Sequence, residues 1–156
     1  MLNLKITTPE RMLYQGVIDQ ISLPTEQGEI TILPYHIPLI SSLVSGEILI
    51  KSGNDEIPIF CEGGFVEVKG KNNIMILADA GERIEEMDEE KIEQARKNAQ
   101  KALKEKTNKT EHDLTMAQSL LERELIRLRI TRKYRSRARS GFTQEEVLEA
   151  QKHRKI

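Results

Sequence analysis

Leu2-Asn3-Leu4-Lys5-Ile6 alternates apolar and polar side chains one by one, the period-2 pattern of a strand with one buried face. Pro9 stops the run. Comparable short runs follow at residues 17–23, 29–33, 47–51, 57–61, 65–69 and 74–78. Turn signals lie between them: Ser52-Gly53-Asn54-Asp55, Gly63-Gly64 and Lys71-Asn72-Asn73. Many short strands at this spacing predict a β-sandwich or barrel over residues 1–84. A domain of that size buries about 60% of the surface its unfolded chain exposes, so its core is small.

One segment breaks the rhythm. Leu33-Pro34-Tyr35-His36-Ile37-Pro38-Leu39 sets two prolines around His36. Proline donates no hydrogen bond to a central ladder, so this is an edge or a loop. Two readings stay open: a stiff, partly apolar contact surface, or a loop whose Ile and Leu are tucked into the core.

Behind Ala80 the period changes. Asp88 is a helix cap, and Ile92, Ala95, Ala99 and Ala102/Leu103 share one face of a helix running to about residue 106. Thr110 opens a second helix with Leu114, Ala117, Leu121, Leu125 and Leu128 spaced by three and four. A short polar link makes the pair an antiparallel hairpin over residues 85–140. The expected lengths, about 19 and about 29 residues, leave the second helix overhanging by on the order of 15 Å. Past Leu128 its apolar face continues as Arg132, Arg135 and Arg139, so the distal part is expected not to pack into a core. Ala against Leu buries little area, so docking of the hairpin on the β domain is expected to be marginal. Gly141 is a helix stop, and Thr143 with Glu146 forms a capping box for a short helix in a tail over residues 141–156.

Charge divides the chain at the same place. Residues 1–84 hold 6 Lys/Arg against 11 Asp/Glu, a balance of −5, and residues 85–156 hold 18 against 14, a balance of +4. Such asymmetry implies two modules with different partners. The single cysteine, Cys61, forms no internal disulfide, which suits a reducing compartment. No signal-peptide pattern and no stretch of about 18 apolar residues is visible, so a soluble protein is expected.

Catalytic chemistry is not expected. His36, His112 and His153 fall in three different segments, and none shares a ligand spacing with Cys61, so no metal site is read. Gly63-Gly64 lacks the Lys and Ser/Thr of a phosphate loop. The basic run from Arg123 to Arg139 holds eight cations and one acid, Glu124. Such a helix face grips phosphates or an acidic protein surface, which keeps a nucleic-acid-binding module as an alternative. Against it, the acidic β half offers no aromatic ladder on which bases stack.

The motifs converge on a known family. Pro9-Glu10, Tyr14-Gln15-Gly16, Ile21-Ser22-Leu23-Pro24, Gly28-Glu29, the proline-flanked histidine segment 32–39, Gly63-Gly64-Phe65-Val66-Glu67-Val68 and Ile76-Leu77-Ala78-Asp79 resemble the ε subunit of F-type ATP synthases. The resemblance covers about residues 1–130 and fades from Arg132 onward. It implies a β-sandwich followed by two helices, in a non-catalytic subunit of the central rotor stalk. The β domain would bind the γ subunit and the ring of c subunits, at the cytoplasmic face of a bacterial membrane, coupling proton or sodium flow to ATP synthesis. Glu29 and His36 match interface positions near the c ring and γ; Pro38 and Leu39 complete that candidate surface.

The resemblance also implies a regulatory arm. Extended, the second helix inserts among the α and β subunits and inhibits ATP hydrolysis, a role for which Arg123, Arg127, Arg132 and Arg135 form the basic face. Folded, the hairpin of some members binds regulatory ATP; the matching positions are Glu82, Asp88, Lys91, Arg123 and Arg127. Here Lys91 stands where the pattern has Arg, and Ile92 where it has a small residue, and Lys for Arg at a forked site is not conservative. No other cofactor is expected.

Overall fold

The computed structural model describes residues 1–105 and 109–140. Among the described residues ten strands form one hydrogen-bonded sheet: β1 (Leu2–Thr7), β2 (Met12–Ile18), β3 (Gln20–Thr25), β4 (Gly28–Ile32), β5 (Leu39–Leu43), β6 (Gly46–Ser52), β7 (Asp55–Cys61), β8 (Gly64–Lys69), β9 (Asn73–Ala78) and β10 (Gly81–Arg83). The order is β10-β7-β6-β3-β5-β8-β9-β1-β2, with β4 paired to β3. Adjacent strands are antiparallel except β1 and β9. The path bends back on itself, and Arg83 Nε donates to the Leu13 carbonyl at 3.0 Å, tying β10 to β2. The result is the expected β-sandwich.

Alternation fills its interior as the sequence predicts. Leu2, Leu4 and Ile6 point inward beside Ile21, Leu23, Ile48, Ile50, Ile59, Val66 and Ile76, all essentially buried. The run expected at residues 17–23 is two strands broken at Asp19, whose carboxylate instead accepts from the Gly53 amide at 2.7 Å. Gly63-Gly64 is only half a turn, because Gly64 already pairs with Ala78 and Leu43.

A 3-10 turn (Ile84–Glu86) leads into α1 (Glu89–Lys104), and the expected cap is in place: Asp88 accepts from the amides of Glu90 and Lys91. The second helix, α2 (Glu111–Ser140), is capped by Thr110, whose hydroxyl accepts from the Asp113 amide while Asp113 accepts from the Thr110 amide. Its 14 residues of excess over the 16 of α1 extend it by about 21 Å. The Gly141 stop, the Thr143–Glu146 capping box and the side chain of Arg139 lie outside the described residues.

Candidate functional site

The two outer faces of the sandwich differ: one carries α2, the other is bare. On the covered face Phe60 of β7 points away from the main core, while its neighbour Ile59 points into it. Phe60, Met87 and Ile92 receive Leu128 and Ile130 of α2, with Ile84, Ile126 and Tyr134 packed at the margin. Each fully buried aliphatic side chain contributes about 1.5–3 kcal/mol. The distal helix therefore does pack, contrary to the expectation for the stretch beyond Leu128. The residues that receive it lie far back in the sequence, on β7, the 3-10 turn and the start of α1.

The seam of α2 also runs one position off the expected stripe. Leu125 is 43% exposed, and Glu124, at 1%, takes the inward position between Leu121 and Leu128. A carboxylate tolerates that burial because two guanidiniums flank it. Arg123 Nε is 3.1 Å from Glu124 Oε1, and Arg127 Nη1 is 3.0 Å from Oε2. Both arginines continue to the sheet: Arg123 to Glu62 at 3.2 Å, and Arg127 to Glu82. Arg127 also lies over the Phe60 ring, 5.7 Å from its centroid. Glu62-Arg123-Glu124-Arg127-Glu82 is thus one chain of alternating charge bridging arm and sheet.

The clasp continues along the helix. Arg132 reaches Glu89 at 3.0 Å and Glu93 at 3.5 Å, and Arg135 reaches Glu89 at 3.3 Å and the Met87 carbonyl at 2.9 Å. Lys133 pairs with Glu47 at 2.9 Å, Tyr134 donates to the same carboxylate, and Arg137 pairs with Glu56 at 3.1 Å. All four arginines of the expected basic face are therefore engaged with acids of this chain. Exposed pairs of this kind contribute up to about 1 kcal/mol each. Breaking into the buried Glu124 pair costs more, about 3–5 kcal/mol, since it strands a charge.

Of the five positions expected to hold a nucleotide, three come together. Glu82, Arg123 and Arg127 line a cleft of about 320 Å³ with Thr8, Glu10, Arg11, Phe60, Glu62 and Asp79. Asp88 and Lys91 do not line it: Asp88 is spent capping α1, and Lys91 extends into solvent 3.9 Å from Asp88. Four carboxylates against three guanidiniums, with the arginines already paired, do not fit a triphosphate.

The proline-flanked segment 33–38 is a loop, and it is not tucked in: Tyr35 is 89% and Ile37 75% exposed. Tyr35 adopts a left-handed φ of 68°, rare for a bulky residue. Its amide donates to the Asn72 side chain at 2.6 Å, which pins the loop to the β8–β9 turn. His36 Nδ1 lies 2.7 Å from the Ile37 carbonyl. Pro38 is exposed and Leu39, which opens β5, is half-buried. Glu29 does not join them; it sits exposed near the opposite end of β4, about 13 Å from Leu33 along the strand. Sequence reasoning missed the bare sheet face beside this loop, where Ile40, Phe65 and Leu77 are 74%, 58% and 52% exposed. Phe65 and Leu77 are directly paired across β8 and β9. The outward alternation of both strands was the available signal. Cys61 is buried and its thiol is pushed up to about 11, chiefly by desolvation. Among the described residues no three His, Cys, Asp or Glu side chains cluster to hold a metal. Nor is any helix there long and apolar enough to cross a membrane.

The family described as ATP synthase, Delta/Epsilon chain, beta-sandwich domain matches residues 1–84. The ATP synthase epsilon chain of Chloroflexus aggregans is 38% identical over 140 residues, covering 90% of this chain and 99% of that one. That of Dichelobacter nodosus is 40% identical over 124 residues, 79% and 86% of the two chains. Among solved structures, a chain of the Euglena gracilis mitochondrial ATP synthase (OSCP/F1/c-ring) superposes with a TM-score of 0.70 at 21% identity. The match covers 80% of this chain and 77% of that one.

Proposed function

The chain belongs to the ATP synthase epsilon-chain family, and from that premise we propose that it is a non-catalytic rotor-stalk subunit whose sandwich grips the stalk and whose helical arm restrains ATP hydrolysis. The single observation that carries this reading is the division of the sandwich into a bare apolar face and a face covered by a charged arm. The bare face, with Ile40, Phe65 and Leu77, suits a permanent protein partner, since exposed apolar area of this kind marks an interface; the γ subunit is the occupant. The exposed, pinned loop with His36 and Pro38, together with Leu39 at the start of β5, meets the c-subunit ring or γ beside it, and Glu29 contacts the ring from its separate position. Membrane association arises only through the complex, at the cytoplasmic face of a bacterial membrane.

The arm supplies regulation. Undocked, α2 would free Arg123 and Arg127 on one flank and Arg132 and Arg135 on another, together suited to an acidic segment of the β subunit. Deletion of residues 123–156 in the assembled enzyme tests this. Hydrolysis is expected to rise while assembly and coupling persist. Unchanged hydrolysis would leave the stalk role standing and remove the inhibitory one.

A further inference from the structure

Arg123 and Arg127 lie one helical turn apart on α2, the spacing at which two guanidiniums share one anion. The anion they share is already present: Glu124 of the same helix, 1% exposed, 3.1 Å from one and 3.0 Å from the other. Glu62 and Glu82 take the outward sides of the same two cations. Three carboxylates on two guanidiniums leave a net negative cluster at the mouth of the cleft. An arriving polyphosphate has to displace Glu82 and Glu62 while leaving Glu124 buried with a divided partner. A ligand favours a conformation only by binding it better than the alternative, and here the docked conformation is the poorer binder.

We propose that the arm carries its own counter-anion: Glu124, with Glu62 and Glu82, fills the place a phosphate would take, so docking is set by internal ion pairs and ionic strength and not by nucleotide. The inference rests on the reading of residues 85–140 as a movable arm. It differs from the nucleotide-held hairpin that the family resemblance implies. The outer pairs, Lys133 with Glu47, Arg137 with Glu56, and Arg132 and Arg135 with Glu89, act in the same sense and are more open to salt.

The test uses the full chain with nitroxides on Asn54→Cys, in the turn between β6 and β7, and Ser136→Cys, on the exposed side of α2. Cys61 is fully buried and leaves those two sites as the ones labelled. Raising NaCl from about 50 mM to about 1 M, which shrinks the screening length severalfold, is expected to separate the labels. Millimolar Mg-ATP is expected to leave the label distance unchanged at low salt and not to restore it at high salt. Glu62→Gln with Glu82→Gln is expected to lower the docked-to-released ratio about tenfold at low salt. Circular dichroism of the sheet checks that this variant folds, and the wild-type salt and ATP arms decide the matter without it. Closure by ATP, or a label distance indifferent to salt in the wild type, would overturn the proposal. Either result concerns the isolated chain, whereas the inhibitory role stands or falls on hydrolysis by the assembled enzyme.

Discussion

Tyr134 of α2 donates its hydroxyl to Glu47 of β6, so an aromatic side chain and an acid 87 positions apart in sequence close the far end of the arm onto the sheet. Glu47 also receives Lys133 at 2.9 Å. The Tyr134 ring carries two cations on its faces, Lys133 at 5.0 Å and Arg137 at 5.5 Å from the centroid. The ring thus organises the charges around it as well as packing beside Phe60 and Leu128.

That contact makes docking sensitive to alkali. Desolvation, then the hydrogen bond to Glu47, raise the Tyr134 phenol above its ordinary value of about 10. The docked form holds the proton more tightly than the released form. The stabilisation is therefore complete below the ordinary phenol range and declines as pH rises through it. Tyrosinate absorbance should show a late-titrating component, and Tyr134→Phe should abolish it. The same substitution should weaken docking by about 1 kcal/mol at neutral pH, read from hydrogen exchange of α2 amides.

Leu128 is the side chain on which the apolar part of the clasp turns, 5% exposed among Phe60, Met87 and Ile92. Leu128→Ala should cost about 2–5 kcal/mol of docking through lost burial and the cavity left behind. Exchange should speed up in α2 and in the 3-10 turn, with amides of β3 and β6 unchanged. Loss of protection across the whole sheet would mean that arm and sandwich unfold as one unit.

Legibility differed by level. Strand alternation, the Asp88 and Thr110 helix starts and the proline-flanked loop are local signals, and the elements they announce are present, save that the run at 17–23 divides at Asp19 into the end of β2 and most of β3. The seam of α2 was not legible, because Glu124 and Leu125 compete for it and hydropathy alone favours the leucine. Only Glu62 and Glu82, some 40–60 residues earlier, and the two arginines they engage make burial of the acid tolerable. The cationic end of α2 reads as projecting for a related reason: Lys133 and Arg137 find Glu47 and Glu56 on a distant hairpin, and Arg132 and Arg135 find Glu89 across on α1. Of the candidate nucleotide positions, Glu82, Arg123 and Arg127 converge because β10 lies under α2. Asp88 is held off by its own capping bonds.

Gly64 is fixed by space and by backbone. A Cβ there would stand 2.1 Å from the Leu77 carbonyl, and the residue adopts a φ of +129° inside a paired strand. Gly64→Ala must then open the β8–β9 ladder beside the exposed Phe65 and Leu77. A loss of about 3 kcal/mol or more is expected, since the neighbour is backbone and cannot swing aside. Thermal unfolding of the purified chain measures it. A change under about 0.5 kcal/mol would show that the ladder relaxes freely at this point.

Phe65 and Leu77 offer the sharpest separation of folding from partnership. Both are more than half exposed and contribute little to the core, so Phe65→Glu should change stability by no more than about 0.5 kcal/mol. A proposed γ partner covering this face would bury that new carboxylate without a counter-charge, which weakens association by about 2–5 kcal/mol. Co-purification with γ should fall sharply for Phe65→Glu and fall less for Phe65→Leu, which keeps an apolar side chain. Gln15→Glu is the control: it lies on the same outer face but two strands away from β9, at the margin on β2, so its retention should match the wild type. Equal retention of Phe65→Glu and wild type would move the γ contact off this face of the sandwich.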